Sequence, residues 1–185
     1  LGVEKLPFIN ALPLLKKLSI NLGGTSGVLG YSEHPSVFQS GKDSAIIAPI
    51  ICYESIYGEY VTEYSRQGAN LFAIITNDGW WDDTPGYQQH MAYARLRAIE
   101  NRKVVVRSAN TGISAVIDER GNVLQATEWD EEAVISAKVK LNSTVTFYAQ
   151  YGDYIGRIAS LLTGLMIALT VVRTLNKTGK RLAKT

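Results

Sequence analysis

The sequence is poor in the residues that build metal and redox sites. It holds one cysteine, Cys52, and two histidines among 185 residues. One thiol cannot close an internal disulfide, and a four-cysteine metal site is excluded. An excess of one charge is lacking too. The formal net charge is only +2, so composition gives no ground for a nucleic-acid partner. No phosphate loop is present, because the glycines of Gly23-Gly24-Thr25-Ser26-Gly27 are not followed by Gly-Lys-Ser/Thr and no strand leads into them. The chain opens on Leu1 without an initiator methionine or a signal peptide, and is expected to be the C-terminal part of something longer.

What is present is globular. Hydrophobic residues make up 46% and charged residues 19%, enough for one domain with a core. The first 40 residues are broken by Pro7, Pro13 and Pro35, with room for a short helix over 12–22. The apolar run Ala45–Ile51 predicts a buried strand, and Pro49 within it an edge or a bulge. A helix over 55–67 closed by Gly68, a strand over 71–76 and a helix over 87–101 follow. The last helix is expected to bury Met91, Ala94, Leu96, Ala98 and Ile99. Strands are then expected over 103–107, 113–117, 123–127 and 133–139, with a tight turn at 119–122. This order predicts an α/β sandwich with buried sheets.

The tail is different. From Ile158 to Val172 every residue is apolar or small, and the basic residues Arg173, Lys177, Lys180, Arg181 and Lys184 follow with no acid among them. Either a buried core helix or a membrane span fits such a run. The acid-free basic end favours a span with that end in the cytoplasm. Arg157 would then snorkel to the interface, and Tyr148, Tyr151 and Tyr154 would form an aromatic belt.

Cys52 stands at the end of a strand and before a helix. A lone cysteine reads either as a small buried hydrophobe or as a nucleophile. The strand-to-helix position suits the second role, because helix-start N–H groups lower a thiol pKa and can steady an oxyanion. Asn77, Asp78 and Asn110 are turn formers as readily as catalytic groups. Trp80 and Trp81 fit either a core or an apolar wall beside the thiol. His90 reads as a bond between helix and loop, and Arg95, Arg97 and Glu100 as a buried ion-pair network.

In order, these segments resemble the nitrilase superfamily and, within it, the apolipoprotein N-acyltransferase family. The motifs are Ile51-Cys52-Tyr53-Glu54, Ile75-Thr76-Asn77-Asp78-Gly79-Trp80-Trp81, Gln89-His90, Ala94-Arg95-Leu96-Arg97-Ala98-Ile99-Glu100 and Arg107-Ser108-Ala109-Asn110-Thr111-Gly112-Ile113-Ser114-Ala115. The resemblance implies an α/β fold, the C-terminal part of a nitrilase-like αββα sandwich over 1–150. A transmembrane helix over 151–173 and a basic cytoplasmic tail over 174–185 follow. It implies Cys52 as nucleophile of a Glu-Lys-Cys triad, with Glu4, Tyr53, Glu54, Asn77, Trp80 and Trp81 lining the site. The triad Glu and Lys fall upstream of Leu1, and Lys5, Lys16 and Lys17 do not replace them. No cofactor and no metal are implied. The implied partners are a phospholipid acyl donor, a diacylglyceryl apolipoprotein acceptor and the bacterial inner membrane, with the catalytic part on the periplasmic side. A soluble amidase of the same superfamily, or an inactive membrane-tethered remnant, are the alternatives.

Overall fold

The computed structural model describes Ser32 and residues 34–182, with side chains to Leu175. The expected helix over 12–22 and the glycine run lie outside the described residues. Six strands form one sheet in the order β1 (Phe38–Gln39), β2 (Ile46–Ile51), β3 (Leu71–Asn77), β4 (Val104–Asn110), β5 (Ala115–Ile117) and β6 (Val123–Ala126). β2, β3 and β4 run parallel; the outer pairs are antiparallel. Parallel neighbours need crossovers, and two helices supply them: α1 (Gly58–Arg66) and α2 (Pro85–Asn101).

Alternation along each strand decides which face meets these helices. Ala48, Ile50, Phe72, Ile74, Val105, Ala115 and Ile117 point one way and form a core with Val61 and Tyr64 of α1 and Met91, Ala94 and Ala98 of α2. Fully burying a side chain the size of Phe72 stabilises by ~2–3 kcal/mol. The opposite face carries Pro49, Ile51, Ala73 and Ile75, all accessible among the described residues, with Ile75 53% exposed. A parallel sheet is ordinarily covered on both faces. The described layers are one sheet with helices on one face; the second sheet of the expected sandwich is not among the described residues.

Pro49 sits where β1 no longer flanks β2, since β1 pairs only with Ile46 and Ile47. The Tyr64 hydroxyl donates to its carbonyl at 2.9 Å in place of a strand. The expected edge is thus local. Thr84 caps α2 and Pro85 opens it, two residues earlier than the apolar spacing suggests. Gly121, at φ +83°, makes the 119–122 turn, and the Asp118 carboxylate accepts from the Arg120 and Asn122 N–H groups.

Four expectations are corrected. The helix expected from Ser55 begins at Gly58, because a 3₁₀ turn over Cys52–Ile56 comes first. No strand forms over 133–139: that stretch has no ladder partner among the described residues, and Val134 is 98% exposed. Leu96 and Ile99 lie on the outer side of α2, 40% and 41% exposed, while the face toward the sheet also buries His90, Arg97 and Asn101. The ion-pair network shrinks to Arg97 and Glu100 at 3.2 Å, because Arg95 turns outward and donates to the Gly121 carbonyl at 2.8 Å.

The irregular stretch after β6 is tied down by Lys103. This lysine is fully buried, and its Nζ donates to the carbonyls of Asn142 and Thr144 at 2.6 and 2.7 Å. Burial pushes its pKa down to about 8. The chain then forms a short helix, α3 (Phe147–Tyr151), breaks at Gly152 (φ +69°), and enters α4 (Tyr154–Leu182).

Over Tyr154–Leu175 the helix has mean hydropathy 2.0 and none of its residues is buried. Twenty-two residues at 1.5 Å each span about 33 Å, enough for a hydrocarbon core of about 30 Å. The Thr163 and Thr170 hydroxyls donate to carbonyls four residues back, at 2.8 Å each, so they present no unmet donor sideways. Phe147 packs on Tyr151 and Tyr154, with ring centroids at 4.5 and 5.1 Å, and all three are exposed at the foot of α4. Tyr148 does not join this belt; it turns inward, its hydroxyl at the backbone of Gly58.

Candidate active site

Cys52 is reached by following β2 off its end. Its φ is +51°, a left-handed conformation that costs a non-glycine residue of order 1–3 kcal/mol. The kink turns the chain from the strand into the 3₁₀ turn and leaves the residue partly accessible. A side chain held in a strained strand-to-helix elbow is a frequent arrangement for nucleophiles. Four hydrogen bonds hold the elbow. Glu54 reaches back so that its Oε2 accepts from the Ile51 N–H at 2.8 Å, and Tyr60 donates to its Oε1 at 3.3 Å. Ser55 Oγ donates to the Cys52 carbonyl at 2.8 Å. Thr76 Oγ1 donates to Cys52 Sγ at 3.3 Å.

Below the elbow lies a buried polar network centred on Asp78. Its Oδ1 lies 2.9 Å from His90 Nδ1 and accepts from Thr76 at 3.1 Å; its Oδ2 accepts from Arg107 Nη2 at 2.6 Å. His90 Nε2 lies 2.9 Å from Ser55 Oγ and 3.3 Å from the Cys52 carbonyl. The side chains of Asp78 and Arg107 are wholly buried and that of His90 nearly so. Burial alone would raise the Asp78 carboxyl. The hydrogen bonds and positive charge of His90 and Arg107 outweigh it, and the pKa lies below the usual carboxylate range. Arg107 also donates to the Ile113 carbonyl, which fixes the guanidinium. Gly112 leaves the room: a Cβ there would stand 2.5 Å from Asp78 Oδ2.

The residues singled out in the sequence are not all brought together. Tyr53 packs 6.1 Å from Trp81 and 6.0 Å from His90, centroid to centroid, and Trp81 lies 5.1 Å from His90. These rings cover the network. Trp80, its neighbour, is 61% exposed. Asn77 caps the short turn Asp78–Trp81 by accepting from the Gly79 N–H. Asn110 is exposed at the end of β4. Glu4 lies outside the described residues. Thr76, Ser55 and Arg107 were not singled out, although they touch the sulfur, its backbone or the carboxylate beneath. The nearest signal was their place in or beside the motifs: Ser55 in the turn after Cys52, Thr76 near the end of β3 and Arg107 within β4.

A hollow of about 770 Å³ opens next to the elbow. Its lining starts at Glu54, passes Tyr57, Gly58 and Tyr60, and ends at Tyr148 and Asp153 beside the foot of α4. There Glu59 joins the two parts. Its Oε1 accepts from Arg157 Nη2 at 2.6 Å and from the Asp153 N–H at 2.7 Å.

The profile of the carbon-nitrogen hydrolase family matches residues 17–148. An apolipoprotein N-acyltransferase of Chlorobaculum tepidum is 34% identical over 92% of this chain and 32% of its own length. One of Geobacter metallireducens is 35% identical over 81% of this chain and 28% of its own. The chain thus spans about a third of the length of the curated relatives it matches. Among solved structures, yeast Nit3, a member of branch 10 of the nitrilase superfamily, superposes with a TM-score of 0.46 at 22% identity, over 56% of this chain and 40% of that one. With a family profile spanning most of its length and its cysteine set in an elbow at a strand end, the chain belongs to the carbon-nitrogen hydrolase family.

Proposed function

We propose that this chain is the thiol-bearing part of a membrane apolipoprotein N-acyltransferase. In this reading the Cys52 thiolate attacks the acyl ester carbonyl of a phospholipid and a tetrahedral oxyanion forms. The C–O bond then breaks, the leaving oxygen takes the proton held by the base, and a lysophospholipid departs, leaving a thioester on Sγ. The α-amine of a diacylglyceryl-cysteine at the N-terminus of an apolipoprotein next attacks the thioester. It loses a proton, and the product is an amide with the thiol regenerated. The base that takes the thiol proton and the lysine that steadies the oxyanion are not assigned to any described residue; the reading takes them from the rest of the family's catalytic machinery. No cofactor takes part.

The observation that carries the reading is the hollow that runs from Glu54, two residues past Cys52, to the foot of an unburied apolar helix; Cys52 itself stands beside the hollow and does not line it. It supports a reaction at headgroup depth, where the donor ester and the acceptor amine both lie. Glu59 and Arg157 support it further, by fixing the helix to the element that follows the elbow. The helix α4 spans the inner membrane, Phe147, Tyr151 and Tyr154 sit at its periplasmic interface, and the basic end faces the cytoplasm. Tyr53 and Trp81 wall the thiol from water, while exposed Trp80 reaches toward lipid. A soluble amidase is less supported, because an unburied apolar helix has no place in it.

The test uses the full-length enzyme and a phospholipid with a labelled acyl chain. A labelled adduct that hydroxylamine removes is expected on the wild type and on neither Cys52→Ala nor Cys52→Ser. An adduct of equal yield on both variants would rule out Cys52 as the nucleophile.

A further inference from the structure

Thr76 is the last buried residue of β3 before the Asn77 cap. β2 and β3 pair with Ile51 beside Ile75, so the next step sets Cys52 beside Thr76. Thr76 is 6% exposed. Its Oγ1 lies 3.3 Å from Cys52 Sγ and 3.1 Å from Asp78 Oδ1. A hydroxyl has one hydrogen, so it serves one of these acceptors at a time. Asp78 does not depend on it, because His90 and Arg107 hold the same carboxylate from two other directions. The sulfur has no other hydrogen-bond donor among the described side chains.

We propose that Thr76 is a two-position donor for the nucleophile, an inference that rests on Cys52 being the attacking group. While the sulfur carries a proton or an acyl chain it is a weak acceptor, and the hydroxyl hydrogen points to Asp78. When the thiol gives its proton to the base, the hydroxyl hydrogen turns about the Cβ–Oγ1 bond and donates to the thiolate. That bond is charge-assisted and the stronger of the two. Thr76 keeps its own proton throughout. When the thioester forms, the hydrogen returns to Asp78. The β-branched side chain on a paired strand keeps the oxygen in place between the two acceptors. The charged groups facing this point are Asp78, His90 on α2, Arg107 on β4 and Glu54 on the elbow. Glu54 accepts from the Ile51 N–H and Tyr60, and His90 and Arg107 are engaged with Asp78, so among the described residues no charged donor bonds the sulfur.

The experiment measures alkylation of Cys52 by iodoacetamide at pH 7 in the full-length enzyme, since alkylation reports thiolate and needs no lipid substrate. Thr76→Val removes the hydroxyl and keeps the shape; alkylation is expected to slow about tenfold. Thr76→Ser restores the hydroxyl and the wild-type rate. Thr76→Ala serves as a second hydroxyl-free variant should Thr76→Val unfold. An unchanged rate in the hydroxyl-free variants overturns the proposal, as does a serine variant as slow as valine, which would make the loss one of packing. If alkylation responds as expected but no labelled lipid adduct forms on the wild type, the acyltransferase reading fails and the role of Thr76 stands. The reverse pair of results sinks Thr76 alone.

Discussion

Asp78→Ala is expected to destabilise the full-length enzyme by about 3–5 kcal/mol, because it leaves the buried charge of Arg107 without its partner. The Arg107 side chain has no solvent access, and its Nε already lacks a hydrogen-bond partner. Of its remaining contacts, Ile113 offers only a neutral carbonyl. His90 loses the acceptor at Nδ1, so the grip of Nε2 on Ser55 and the Cys52 carbonyl loosens. The thiol elbow, strained at φ +51°, is then free to relax, and acyl-adduct formation falls together with stability. Chemical unfolding in detergent measures the first effect; a loss below about 1 kcal/mol would show that Arg107 finds another partner. The pH dependence has a definite sign. The folded pKa of Asp78 is depressed, so its contribution is present above the unfolded value of about 3.9 and is lost as pH falls through the lower folded value. The gap between wild type and Asp78→Ala should be flat from pH 7 to 5 and close below about 4.

Leu165→Asp should be nearly as damaging, by a different route. Leu165 lies near the middle of the apolar stretch of α4 and is 56% exposed, with no neighbour among the described residues to shelter a charge. An aspartate at the centre of a spanning helix costs about 2.5–3.5 kcal/mol on insertion scales, or roughly a hundredfold in the ratio of inserted to non-inserted helix. The same charge at Val134, in the exposed irregular stretch, costs nothing of the kind. Accessibility of a probe placed beyond residue 175, from each side of the membrane, measures the shift. Equal insertion of Leu165→Asp and wild type would mean that α4 lies outside the hydrocarbon core.

Much of this was legible in the chain because the signals are local. Apolar runs marked β2, β3 and β4, and Gly68 marked the end of α1. The apolar run from Ile158 to Val172 announced the free helix. What escaped was decided by distant partners. Alternation at 133–139 reads as a strand, but a strand exists only where another lies alongside. Spacing along α2 shows apolar residues on two sides, and only packing tells that Ala94 and Ala98 face the sheet while Leu96 and Ile99 do not. The cysteine was visible as an elbow, yet its positive φ, which delays the helix to Gly58, has no signature in a non-glycine residue. The network beneath it joins Asp78, His90 and Arg107, residues up to 29 positions apart that a parallel register and one helix bring to a point. Asp78 read as a turn former because its neighbours are Asn77 and Gly79. Its burial was a matter of the third dimension.

The reading as an acyltransferase is tested most directly by the fate of the isolated thioester. Full-length enzyme carrying a labelled acyl chain on Cys52 is freed of donor phospholipid and mixed with a diacylglyceryl-cysteine peptide. The label should move to the peptide amine as an amide that hydroxylamine does not cleave, and should stay on the enzyme when the peptide's amine is blocked. Release of the label as free fatty acid at one rate, with or without the peptide, would make water the acceptor and the protein a hydrolase.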